Sequence, residues 1–272
     1  MSGSERGDEV GAVGDGDSNS MRTSADVCVV GAGPAGLLCA IYTARAGLET
    51  VIVDGGPSIL ERNAHLENVP GFPGGVDARR FLEGTRQQAS DAGVAFVDGY
   101  VEGVVREDGQ LIATTADHTI AANRLVAASW SDCSYLNALD VETIDRGSKT
   151  FVEVDDGGRS STPDVYAAGR LAGKPHQAVV AAGHGAEVGI AVVHDAEVPF
   201  YHDWVTPAGY FADRDRDVPP GCEEIDDAAR AEREAAGRNR QRSLLERDPE
   251  PPRTHPSLRD EDDDGADDDA DT

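Results

Sequence analysis

Residues 27–36 read Val27-Cys28-Val29-Val30-Gly31-Ala32-Gly33-Pro34-Ala35-Gly36, and the fold turns on this stretch. Four apolar residues in a row suit a strand buried on both faces. The glycines follow as G-x-G-x-x-G, and an apolar helical pattern begins at Pro34, a residue favoured in a first helical turn. Each glycine has its own reason. Gly31 permits the tight turn, Gly33 lets a pyrophosphate approach the backbone, and Gly36 lets helix and strand pack closely. Pro34 and Ala35 open the helix, whose free N–H groups and positive dipole end suit phosphate oxygens. Asp54 ends the next apolar strand, 23 residues after Gly31, where an acid is placed to accept from an adenosine ribose.

Working outward, the pattern predicts a strand over 27–30, a helix over 34–46 stopped by Gly47, and a strand over 50–53. Glycine, proline and asparagine scattered through 55–76 suggest a long loop. Asp77 can cap a helix carrying Phe81, Leu82, Thr85 and Ala89 on one face and ending at Gly93. Short strands are expected over 94–97, 100–106, 111–115, 119–121, 125–128, 151–154 and 165–168, with Asp108-Gly109 as a hairpin turn. A helix of small residues is expected over 177–194. This is an α/β pattern: a Rossmann-like domain with a parallel sheet, helices and a small β-meander, over residues 25–203. Residues 1–24 read as a disordered leader, 204–258 as a partly helical extension, and 259–272 as an acidic disordered tail.

Composition narrows the function classes. The 272 residues carry 24 basic and 51 acidic side chains, a net charge of −27. Only Lys149 and Lys174 are lysines. So large an acidic excess argues against nucleic acid and against an anionic membrane surface. Arginine in place of lysine, with acids spread along the chain, is the composition expected of a protein living in molar salt. Residues 27–44 carry no charge, but three glycines and a proline make this a turn and not a membrane span. The first twenty-odd residues lack the apolar core of a secretory signal. Cys28, Cys39, Cys133 and Cys222 form neither C-x-x-C nor zinc-ligand spacing, so no metal site is expected and a reducing cytoplasm is the simplest setting.

Four separated motifs carry a resemblance: the Gly-Pro-Ala-Gly turn, Glu67-Asn68-Val69-Pro70-Gly71, the run from Thr162 to Gly169, and the run from His176 to Gly185. Together they resemble the FAD domain of the thioredoxin reductase family, of the pyridine nucleotide-disulfide oxidoreductase type, over roughly residues 25–200. The resemblance implies FAD as cofactor. It implies that Asn68 and Pro70 lie beside the isoalloxazine and that Gly169 meets the ribityl chain. It further implies that Gln177 and Ala178 aim a helix N-terminus at the flavin, and that Val101 lies near the adenine through its backbone. The departures are as informative. No second G-x-G-x-x-G follows, and only residues 129–150 separate two strands between which the family inserts its NADPH domain and C-x-x-C pair. Arg170 stands where the family has an aspartate that accepts from a ribityl hydroxyl. An arginine only donates, to a hydroxyl oxygen or to phosphate.

Other side chains are weaker candidates. Cys28 and Cys39 read as small buried hydrophobes. A Cys133–Cys222 redox pair is conceivable, but Asp132 beside Cys133 disfavours a thiolate. His176 and His184 flank the expected flavin helix, and Trp130 and Trp204 are candidates to cover a flavin face. No catalytic residue is assigned. Two functions stand: an FAD-dependent oxidoreductase supplied by a separate electron donor, such as a small redox protein, or a non-catalytic flavin-binding sensor or partner subunit. Two copies of the chain pairing is compatible with either. The charge has a testable consequence. Folding should require high salt, with far-UV circular dichroism lost at low ionic strength. A melting temperature unchanged between about 0.1 M and about 1 M KCl overturns the salt-adaptation reading.

Overall fold

The computed structural model describes residues 21–147, 149–248 and 251–253. The expected acidic tail and the leader up to residue 20 lie outside the described residues. The chain runs β1 (Met21–Val30), α1 (Pro34–Arg45), β2 (Thr50–Asp54), α2 (Ala78–Asp91), β3 (Ala95–Asp98), β4 (Gly103–Glu107), β5 (Gln110–Thr114) and β6 (His118–Ala127). A β7–β8 hairpin (Thr143–Arg146, Lys149–Val152), β9 (Val165–Ala167) and α3 (Ala178–Asp195) follow. Beyond them lie β10 (Trp204–Pro207), β11 (Cys222–Ile225) and α4 (Asp227–Glu246).

The main sheet has the order β3-β2-β1-β6-β5-β4, and β9 also pairs with β6. Strands β1, β2, β3, β6 and β9 are parallel, while β4, β5 and β6 form an antiparallel meander. This is the Rossmann-like α/β fold expected. Alternation along β1 splits the core. Val27 and Val29 pack with Leu37, Ile41, Leu82, Val188 and Val192 on the helical face. Cys28 and Val30 pack with Leu111, Ile120, Leu125, Tyr135, Leu136 and Val152 on the other.

Four expectations are corrected. Met21–Ser24 belong to β1, pairing with His118–Ala121, so the domain begins four residues before residue 25. The strands expected over 119–121 and 125–128 are one strand. The polar pair Asn123-Arg124 lies within this strand, and both side chains find partners. Asn123 donates to Asp26 Oδ1 at 3.2 Å, and Arg124 to the carbonyl of Asp195 at 2.8 Å. The loop expected over 55–76 contains a 3₁₀ turn, Ile59–Arg62, closed by a Ser58–Glu61 capping box. The extension after residue 203 includes the short parallel pair β10–β11, which no periodicity announced. Among the described residues no helix is long and apolar enough to cross a membrane.

Helix α3 lies against α1 at glycine distance. A Cβ at Gly185 would collide with the Ala35 carbonyl, and one at Gly189 would lie 2.9 Å from the Cys39 carbonyl oxygen. Gly185→Ala should therefore destabilise the fold by about 1–3 kcal/mol through overpacking. Gly183→Ala, on the same helix but with nothing within 4 Å, should be neutral or stabilising. Chemical denaturation of the two variants checks this contrast.

Candidate functional site

The turn from β1 into α1 is built as its glycines require. Gly31 has φ +108°, and a Cβ there would lie 2.9 Å from the Ala128 carbonyl oxygen. A Cβ at Gly36 would strike the Gly31 carbonyl. Gly33 caps α1 in extended conformation, and the nearest atom to a Cβ there is Ser58 Oγ at 3.7 Å. This glycine thus borders open space. The first helical bond runs from Leu37 N–H to Gly33 O at 2.9 Å, which leaves the N–H groups of Ala35 and Gly36 without helical partners. Pro34 has no N–H to satisfy.

These groups border a cavity of about 630 Å³, lined by residues 31–35, by Ser58, Ile59, Leu60, Arg62 and Asn63 of the 3₁₀ turn, and by Trp130, Arg170, His176, Gln177 and Ala178. A second cavity of about 260 Å³ shares Gly31, Ser129 and Trp130 with it and continues past Val53, Tyr100 and Val101. Together they occupy the crevice at the carboxyl ends of β1, β2 and β6, where the strand order reverses direction and α/β folds place their ligands.

Helix α3 starts at this cavity without a side-chain cap at Gln177. Its first bond joins Ala181 N–H to Gln177 O at 2.9 Å. Gln177 Oε1 accepts from Asn68 Nδ2 at 3.0 Å, so two expected site residues touch each other. Gly169, at φ +66°, is buried just before α3, and a Cβ there would come 2.6 Å from Ala35 Cβ. Arg170 turns into the cavity wall. Its guanidinium carbon lies 4.8 Å from the Phe151 ring centre and 6.0 Å from that of Trp130. Its Nε is buried with no hydrogen-bond partner. Lys149 Nζ also sits over Trp130, at 5.8 Å, and His176 meets the Trp130 edge at 4.6 Å.

Not every expected residue is here. Asp54 lines a separate cavity of about 460 Å³ on the α2 side. Its carboxylate is taken by Arg86 and by the N–H of Gly56 at 3.1 Å. Pro70 is exposed and outside the lining. Val101 lines the second cavity. Trp204 lies in β10, stacked on His202 and far along the chain from the cavity wall. The thiols are not brought together. Cys133 packs on the non-helical face of the sheet. Cys222 contacts the carbonyl of His202, next to Asp203, which pairs with Arg45 at the C-terminal end of α1. Burial pushes the Cys28 and Cys39 thiols up to about 12. Burial, then Asp132 and Asp145, raises that of Cys133. Among the described residues no cluster of three His, Cys, Asp or Glu could hold a metal. Sequence reasoning missed the 3₁₀ turn as a cavity wall, although Ser58-x-x-Glu61 is a capping-box pattern.

His184 has a positioning role. Its Nδ1 accepts the buried N–H of Gly169 at 3.0 Å, which requires a neutral ring carrying its proton on Nε2. Burial holds its pKa below the ordinary value, helped by Lys174 and opposed by Glu187. A lowered histidine pKa means that the unfolded chain binds the proton more readily. The bond thus contributes its full stability above the ordinary histidine pKa, and stability falls as pH drops below it. His184→Leu should cost about 1–3 kcal/mol by leaving the Gly169 N–H unpaired, and should flatten the acid limb of a stability–pH curve. Urea titrations between about pH 5 and 8 measure both effects.

Comparison with known proteins agrees with this fold. Residues 25–131 match the family model of the pyridine nucleotide-disulphide oxidoreductases. A thioredoxin reductase of Aquifex aeolicus is 42% identical over 81 residues, which is 28% of this chain and 24% of that protein. One from Listeria monocytogenes is 30% identical over 137 residues, 48% of this chain and 42% of that protein. The chain thus matches less than half the length of these relatives. The solved thioredoxin reductase of Gloeobacter violaceus superposes with a TM-score of 0.59 at 21% identity, covering 64% of this chain and 95% of the other. Over its first β–α–β unit and the strands that follow, the chain is therefore similar to pyridine nucleotide-disulphide oxidoreductases, and it shares the Rossmann-like FAD-binding fold of thioredoxin reductase structures.

Proposed function

We propose that this chain binds FAD in the joined cavities and works as a flavin oxidoreductase whose electrons come from a separate molecule. One observation carries the reading. The fingerprint turn, the first residues of α1 and α3, whose leading N–H groups lack helical partners, and the Arg170 side chain all border one crevice. That donor set suits an anionic dinucleotide. Bound FAD would supply the storage and release of electrons.

The chain's own residues would bind and orient. Gly31, Gly33 and Gly36 would admit the pyrophosphate to the N–H groups of α1. The start of α3 at Gln177 and Ala178 would favour negative charge on the reduced ring. Arg170, which lines the cavity, would donate to a ribityl hydroxyl or a phosphate oxygen through its guanidinium. The second cavity, which Val101 lines, would take the adenine. Asp54 is already engaged by Arg86, so no ribose contact is assigned to it. A separate electron donor is favoured by the single dinucleotide fingerprint in the chain. Four free thiols suit a reducing, cytoplasmic setting. A second reading, a flavin-binding partner or sensor without turnover, draws on Arg170 in the place of an acceptor and on the burial of Cys28 and Cys39.

Protein loaded with FAD and followed anaerobically at about 450 nm should not be reduced at a useful rate by NADPH or NADH, yet should be bleached by dithionite. Fast bleaching by NADPH overturns the separate-donor reading, and failure of the wild-type protein to take up FAD overturns the assignment of the cavity.

A further inference from the structure

We infer that residues 227–248 and 251–253 act as a strap, and that its attachment to the 3₁₀ turn Ile59–Arg62 sets how tightly the cofactor is held. Naming FAD as that cofactor rests on the function proposed above.

Helix α4 has twenty residues and none is buried, so core burial does not hold it in place. Four attachments to α2 do. Leu244 sits over Gly84, where even a Cβ would come within 2.7 Å of Leu244 Cδ2. Arg240 pairs with Asp91 at the far end of α2, and Arg247 pairs with Glu83 nearer its start. Arg80 donates to the carbonyl of Arg247. The chain therefore runs antiparallel along α2 towards the cofactor crevice.

Its next described residues reach the cavity wall. Arg253 Nε lies 2.7 Å from Glu61 Oε2, and its backbone N–H donates to the Glu61 carbonyl at 3.3 Å. Glu61 is the joint. Its other carboxylate oxygen accepts the N–H of Ser58 at 3.2 Å, and its carbonyl also accepts from Arg79 Nη1 at 2.8 Å. The wall has two sides. Ser58, Ile59, Leu60 and Arg62 face the cofactor cavity, while Ser58 and Glu61 also border the outer cavity, which is closed by Arg247, Asp248 and Arg253. The strap therefore presses on the outside of the wall whose inside lines the cofactor cavity.

Exposed ion pairs are individually weak, and joined attachments act together. If the strap orders the turn, cofactor and strap favour the same arrangement of the wall, and each must strengthen the other's hold to the same degree. The double variant Glu61→Gln, Arg253→Ala keeps an acceptor for the Ser58 N–H and removes the side-chain pair of the joint, leaving only its backbone bond. Its dissociation constant for FAD should rise about fivefold, a change of about 1 kcal/mol. Arg238→Ala, which breaks only a pair with Glu234 inside α4, should leave it unchanged. Reciprocally, FAD should slow tryptic cleavage after Arg240, Arg242 and Arg247 in the wild type. In cofactor-free protein, the double variant should speed hydrogen exchange at the amides of Glu61 and Asn63, which bond within the turn. An unchanged exchange rate overturns the strap whatever the ligand, and an unchanged dissociation constant overturns its effect on the cofactor. Faster exchange in a protein that takes up no FAD overturns the FAD reading and leaves the strap standing.

Discussion

Helix α1 is held between β1 and α3 at separations that admit no side chain at the points of contact. On one side the Gly31 carbonyl occupies the space of a Gly36 Cβ. On the other the Ala35 carbonyl occupies the space of a Gly185 Cβ. Each contact fixes the height of the helix above the sheet to within a few tenths of an ångström, because interiors this dense do not deform gradually. The N-terminus of α1 consequently meets the crevice at one place, and Gly169, against Ala35 Cβ, puts Arg170 and the start of α3 beside it. The crevice is a product of backbone proximity far more than of particular polar side chains.

Charge is handled by a different rule. With acids outnumbering bases about two to one, most of the arginines outside the crevice are engaged by carboxylates or carbonyls, as at Arg45–Asp203, Arg159–Asp195 and Arg86–Asp54. Around the cavity the pattern changes. Lys149 sits over Trp130 of the cavity wall, and Lys174 donates its backbone N–H to the carbonyl of Gly169, the residue before Arg170. Arg62, Arg170 and these lysines form no ion pair among the described residues. Cations without carboxylate partners beside this crevice favour an anion there.

The features legible in the sequence were those in which conformation dictates residue type. A turn that needs φ > 0 and close approach can be read from glycines, a buried strand from four apolar residues, and a close-packed helix from its alanines and glycines. Pairings between distant side chains had no such signature. Nothing near Asp54 announces Arg86, because the partner sits 32 residues on, upon a helix whose placement is set by Leu82 and Ala89 in the core. Strand β7 and the β10–β11 pair were missed for another reason. These strands are four residues long and half-exposed, too short for a period to register. The Ser58-x-x-Glu61 turn was readable but was outvoted by the glycines and prolines around it.

The long connection between partner elements has a consequence in time. Strand β1 finds β6 only after about ninety residues have been made, while α1 finds α3 only after more than a hundred and thirty. Pairings of such separation in sequence form late, since the loop must close before the contact rewards it. During synthesis the first βαβ segment can assemble early, with its glycine turn facing water and no opposite wall. The crevice is completed when β9 docks on β6 and α3 settles on α1. A ligand captured there would meet an almost finished protein, and its binding would close the folding sequence instead of starting it.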